Sequence, residues 1–91
     1  MKTAKLPVRW IEGLHLRHAA RIVRCSQKFK SSISLRLRGQ VADARSIFNV
    51  LMLCALMGSV IDVEVSGDDE QNAMEAIAQV FDNETDADGP A

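Results

Sequence analysis

The sequence predicts an α+β domain in which three helices cover one face of a four-stranded antiparallel sheet, in the order β-α-β-β-α-β-α. Three observations carry that expectation. Two segments alternate strictly: Ile33, Leu35 and Leu37 against Ser34, Arg36 and Arg38, and Ile61, Val63 and Val65 against Asp62, Glu64 and Ser66. Each therefore has one polar and one apolar face. The segments around them place apolar residues at helical spacing instead. Finally, 91 residues fill a single core, and one-sided strands bury that core best beneath helices on one face.

Leu6 and Val8 alternate with polar neighbours and mark a short first strand, with Pro7 at an edge or bulge. Glu12-Gly13 breaks it. From Leu16 to Lys28, Leu16, Ala19, Ala20, Ile22 and Val23 form one apolar arc, while Arg17, Arg21, Arg24 and Lys28 fall on a separate arc about 60° wide. This helix is expected to present a narrow basic stripe. Ile33 to Leu37 form the second strand, and Gly39-Gln40 turns the chain into a short partner around Val41. Ser46 caps a second, strongly apolar helix that starts at Ile47 and is stopped by Gly58. Val60 to Ser66 is the fourth strand. After Gly67, the acids Asp68, Asp69 and Glu70 suit the positive end of a third helix, whose inner face is Ala73, Met74, Ile77, Ala78 and Phe81. Residues 1–82 are expected to form the single domain and 83–91 an acidic, flexible tail.

Composition excludes several classes. With 47% hydrophobic and 25% charged residues, the chain is globular rather than disordered or fibrous. Its longest apolar stretch, Val50 to Met57, falls far short of the roughly 20 residues of a membrane span. No basic segment followed by an apolar one opens the chain, so a cytoplasmic protein is expected. Cys25 and Cys54 lie in helical patterns without metal-type spacing and read as reduced packing thiols. The charges are lopsided. Residues 1–45 hold all eleven basic side chains and two acids, a balance of +9, while residues 46–91 hold ten acids and no base, a balance of −10.

The segment Gly13-Leu14-His15-Leu16-Arg17-His18-Ala19-Ala20 carries the chemistry. It places His15 between a strand exit and a helix start, where free N–H groups and the helix dipole stabilise an anion. An imidazole there is suited to accept a phosphoryl group, because it is nucleophilic near neutral pH and its phosphoramidate is labile. Arg17 adds a fork of donors matched to phosphate. Position alone leaves a plain capping histidine as the alternative.

Gly13-Leu14-His15-x-Arg17 followed by Ala19-Ala20 resembles the active-site motif of the HPr family, the phosphocarriers of the bacterial phosphoenolpyruvate-dependent sugar phosphotransferase system. The resemblance continues through Phe29-Lys30-Ser31, Arg45-Ser46-Ile47-Phe48 and Gly67-Asp68-Asp69-Glu70, over about residues 4–82. It implies an HPr-like open-faced sandwich and a monomeric carrier, without cofactor, that is not itself a turnover enzyme. It also implies that His15 takes phosphate on Nδ1 from enzyme I and passes it to a histidine of a IIA domain, with Arg17 steadying the group. Partners would dock on Leu16, Ala20, Arg21 and Arg24 of the first helix and on Ile47, Phe48, Leu51 and Met52 of the second. Ser46 matches the position that an HPr serine kinase/phosphorylase modifies in some bacteria. A phosphate there would add about two negative charges beside a patch meant for acidic partners. A plain N-cap is the other reading of Ser46. The chain departs from the family pattern at three places. The usual proline after the arginine is His18, which if protonated would compete for the phosphate. A usual small residue is Leu16, and a usually glycine-rich stretch is Cys54-Ala55-Leu56.

Other chemistries fit less well. His15-x-x-His18 lacks the third and fourth protein ligands zinc wants, so no metal is expected. The basic stripe lacks the aromatic platforms of single-strand nucleic-acid binders, since the aromatics are Trp10, Phe29, Phe48 and Phe81 and Trp10 reads as core. Arg36 and Arg38 against Asp62 and Glu64 read as cross-strand pairs on the open sheet face. The second function class is a non-catalytic regulatory module of the same fold that binds an acidic partner without relaying phosphate.

Overall fold

The computed structural model describes residues 1–82. The acidic tail inferred for 83–91 lies outside the described residues. The elements are β1 (Lys2–Pro7), α1 (Leu16–Ser26), β2 (Ser32–Leu37), β3 (Gln40–Asp43), α2 (Ile47–Met52), β4 (Val60–Ser66) and α3 (Glu70–Asp82). The order matches the expected β-α-β-β-α-β-α. All strand pairings are antiparallel, in the spatial order β1-β4-β2-β3. Pro7 closes β1, an edge strand, where a missing N–H is tolerated.

Alternation decides which face is which. Ile61, Val63 and Val65 on β4, with Ile33 and Leu35 on β2, point into the core, where they meet Ile22 of α1, Val50 of α2 and Ile77 and Phe81 of α3. The opposite face carries the charges. There Lys5 stands across from Asp62 in the ladder and its ammonium donates to the Asp62 carboxylate at 2.7 Å. Arg36 also faces Asp62, from the other side, as expected. Arg38 does not join such a pair, because Arg38 (φ +50°) and Gly39 (φ +83°) form the two-residue turn between Leu37 and Gln40. Glu64 stands opposite Thr3 and Ser34.

Two helices differ from expectation. α1 ends at Ser26 rather than Lys28, and its inner surface includes Cys25 and Ser26 in place of Leu16, which is exposed. α2 stops at Met52, well before Gly58. The chain leaves the helix at Cys54, which adopts φ +50°. Leaving there lets Ala55 turn into the core, where continued helix would have carried it past. Gly58 instead serves the entry to β4, its N–H donating to the Val8 carbonyl at 2.8 Å.

A polar brace joins the helix starts. The Asp69 carboxylate accepts the N–H groups of Lys30 and Ser31, each at 2.9 Å, and the Ser31 hydroxyl. These bonds, that of the Ser31 hydroxyl foremost, hold the carboxyl below the usual aspartate range. The Arg45 guanidinium reaches the carbonyls of Phe29 and Ser31 from the α2 side.

Candidate functional site

The loop between β1 and α1 is strapped to the segment that precedes β4. The Val8 N–H donates to the Ser59 carbonyl and the Leu14 N–H to the Ala55 carbonyl, both at 2.8 Å. Trp10 and Leu14 are buried pegs, and Ile11 and Glu12 between them are exposed. Gly13 has no substitute here. Its φ is +78°, and a Cβ would sit 2.6 Å from the Ala55 oxygen.

One residue beyond the Leu14 peg, His15 is the N-cap of α1, with extended φ −92° and ψ 169°. Its carbonyl accepts the Ala19 N–H at 2.9 Å, while its imidazole makes no capping hydrogen bond and is exposed. The first-turn N–H groups, which an α-helix cannot bond internally, therefore lie beside an exposed imidazole. No acidic residue occupies the first turn of α1, and Arg17 is exposed within it. An exposed imidazole thus sits at a helix start that carries no acid.

His18 is not a competitor for a phosphate. It is buried, 7% exposed, and its ring stacks on Trp10 with centroids 4.2 Å apart and planes 10° from parallel. Trp10 is core, as expected. One histidine is in solvent and the other under a tryptophan, so the two do not form a shared chelate.

The expected docking residues separate into two kinds. Leu16, Phe48 and Met52 project into solvent, Phe48 being 77% exposed. Ile47 and Leu51 are half-buried and pack on the core, and Ala20 is half-buried on α1. The basic stripe is broken: Arg17, Arg24 and Lys28 are exposed, but Arg21 is only 7% exposed. With Arg24 and Lys28 it lines a groove of about 250 Å³ against Gln79 and Val80 of α3. Arg21 thus belongs to the α1–α3 seam rather than to an open docking face. Its period placed it correctly around the helix, but α3 covers that side.

Sequence reasoning missed three exposed apolar residues, Ile11, Leu56 and Met57. Gly13 and Leu56 are adjacent, since a Gly13 Cβ would lie 3.2 Å from the Leu56 Cα. Ile11 lay outside any periodic segment, whereas Leu56 and Met57 were hidden in the apolar run assigned to the second helix. Ser46 is the N-cap of α2, its hydroxyl oxygen accepting the Asn49 N–H at 3.3 Å. Cys25 is buried, and desolvation pushes its thiol up despite the nearby Lys28. Among the described residues, no helix is long and apolar enough to cross a membrane.

A small open-faced sheet under three helices, with one exposed histidine at a helix start, is the architecture of a phosphocarrier family. The family model for the PTS HPr component phosphorylation site matches residues 2–83, and the chain belongs to the HPr family of phosphotransferase-system phosphocarriers. It is similar to the phosphocarrier protein HPr of Xylella fastidiosa, 41% identical over 71 residues that cover 78% of this chain and 80% of that protein. It is also similar to the phosphocarrier protein NPr of Proteus mirabilis, 39% identical over 77 residues, 84% of this chain and 86% of that one. The fold superposes on the crystal structure of HPr-C-His from Thermoanaerobacter tengcongensis with a TM-score of 0.86 and 30% identity, covering 90% of this chain and 92% of that one.

Proposed function

We propose that His15 is the phosphoryl-accepting residue, charged by enzyme I and discharged to a IIA domain in sugar uptake or its regulation. The observation that carries this reading is the exposed, uncapping imidazole of His15 at the N-terminus of α1, whose first turn holds Arg17 and no acid. In the step, the His15 Nδ1 lone pair attacks phosphorus as the N–P bond of the donor phosphohistidine breaks. The electron pair of that bond returns to the donor imidazole, and the proton leaving His15 Nε2 balances the one the donor regains. The α1 donors and Arg17 hold the phosphoryl oxygens without reorganising.

Docking uses Leu16, Ala20 and Arg24 on α1 and Ile47, Phe48, Leu51 and Met52 on α2. A carrier that offers this face to two partners in turn works as a monomer in the cytoplasm, and residues 1–82 are its working domain. Ser46 is a second acceptor, for a serine kinase, where a phosphate would be accommodated at the helix start and would repel acidic partners.

The test is incubation with enzyme I and radiolabelled phosphoenolpyruvate. We expect acid-labile label on the wild-type protein and none on His15→Ala. Label that is acid-stable, or that persists in His15→Ala, would place the phosphate elsewhere, and a wild-type protein that takes none would leave the fold with a purely regulatory role.

A further inference from the structure

The rings of Trp10 and His18 lie face to face and both are buried. Trp10 leans in turn on Phe81 of α3, with centroids 5.4 Å apart. The chain between the two stacked rings holds His15. Within it, the Gly13 N–H donates to the Trp10 carbonyl at 2.8 Å, and just past it the Ala19 N–H donates back to the His15 carbonyl at 2.9 Å. The stack closes the segment from Trp10 to His18 into a ring of contacts, pinned from outside where the Leu14 N–H meets the Ala55 carbonyl.

That closure has work to do. Residues 16–18 contain no proline to fix the backbone of the first turn. His18 is a first-turn side chain that ties the helix start to the loop, through its stack on Trp10. Without the tie, the helix start that carries the His15 ring and the donors beside it can shift against the loop that Trp10 anchors.

We propose that His18 is a positioning residue for phosphoryl transfer at His15, holding the start of α1, with the His15 ring that caps it, against the preceding loop through its stack on Trp10. The inference rests on the carrier reading above. Transfer needs the reacting atoms to meet at about 3–3.5 Å, and a misplacement of about 1 Å costs on the order of a hundredfold. His18 is itself too buried to contribute docking surface. Its loss should therefore slow transfer while leaving partner affinity in place.

The experiment compares His18→Leu, which fills the space without a ring, with His18→Phe, which keeps a ring over Trp10. Three quantities are measured at a temperature where circular dichroism shows both variants folded. They are single-turnover transfer from phosphorylated enzyme I, affinity for unphosphorylated enzyme I, and the NMR titration of the His15 ring. We expect His18→Leu to transfer at least about tenfold more slowly, with a dissociation constant within about threefold of wild type and a displaced His15 titration. His18→Phe should recover most of the rate. Transfer at the wild-type rate in His18→Leu, or a His18→Phe variant as slow as His18→Leu, overturns the proposal. If the wild-type protein takes no phosphate, the carrier reading fails and the His15 titration decides alone. Superimposable curves in wild type and His18→Leu then overturn positioning, and displaced curves with recovery in His18→Phe uphold it.

Discussion

At the scale of single residues, Gly13 shows how narrowly the site is built. It must adopt φ +78° and also leave room for the Ala55 oxygen, which a Cβ would approach to 2.6 Å. Gly13→Ala is therefore expected to cost about 1–3 kcal/mol of stability from the left-handed backbone, with displacement of the Ala55 segment added to it. Urea unfolding followed by Trp10 fluorescence measures the loss, and a variant as stable as wild type would show that the loop can re-form without this contact. The need for glycine here was legible, because Gly13 stands at the break between two periodic patterns. So was the place of His15 and Arg17 at a helix start. The burial of His18 was not legible: its partner is Trp10, eight positions earlier in a loop with no period, and only the tertiary fold brings the rings together. Arg21 was misread for a related reason, since a helical wheel assigns an angle but does not say what covers it.

At the scale of elements, strict alternation was the most informative signal. β4 begins at Val60 and ends at Ser66, the bounds its alternation implies. α2 was the opposite case. The apolar run from Val50 to Met57 hides the point where its residues stop facing the core as helix and start facing it as loop, so the end at Met52 could not be read. A helix of six residues has little stability of its own and is held by Val50 in the core and by its cap. Ser46→Ala should accordingly cost about 1 kcal/mol, read as a lower urea midpoint. Ser46→Asp keeps an oxygen acceptor at the cap and adds charge at the helix start, so the fold should be retained while affinity for enzyme I falls. Unchanged affinity in folded Ser46→Asp would argue that Ser46 is a cap and nothing more.

At the scale of the whole molecule, the division of charge along the chain resolves into local arrangements. The second half answers the first across the sheet, where Lys5 pairs with Asp62, and at the end of α3, where Asp82 lies 3.8 Å from Arg9. Asp69 is committed to the brace at Lys30 and Ser31. Along α1 after His15, Arg17 and Arg24 are exposed, and Lys28 is exposed just past the helix end. An acidic partner reads a local field, and fields of this kind govern encounter more than residence. Two charge reversals with the same change in net charge separate the local field from the total. Arg24→Glu alters the α1 edge at an exposed position and should move stability by no more than about 0.5 kcal/mol, whereas Lys5→Glu alters the open sheet face and, by setting two acids opposite each other at Asp62, should cost up to about 1 kcal/mol. Stopped-flow binding to enzyme I should show association slowed about tenfold by Arg24→Glu, with little change in dissociation. Association in Lys5→Glu should stay within about twofold of wild type. The difference between the two should shrink from 0.1 to 1 M salt, as the screening length falls from about 10 Å to about 3 Å. Equal slowing by both reversals would mean that the partner senses total charge, and that the basic edge of α1 has no special part in recognition.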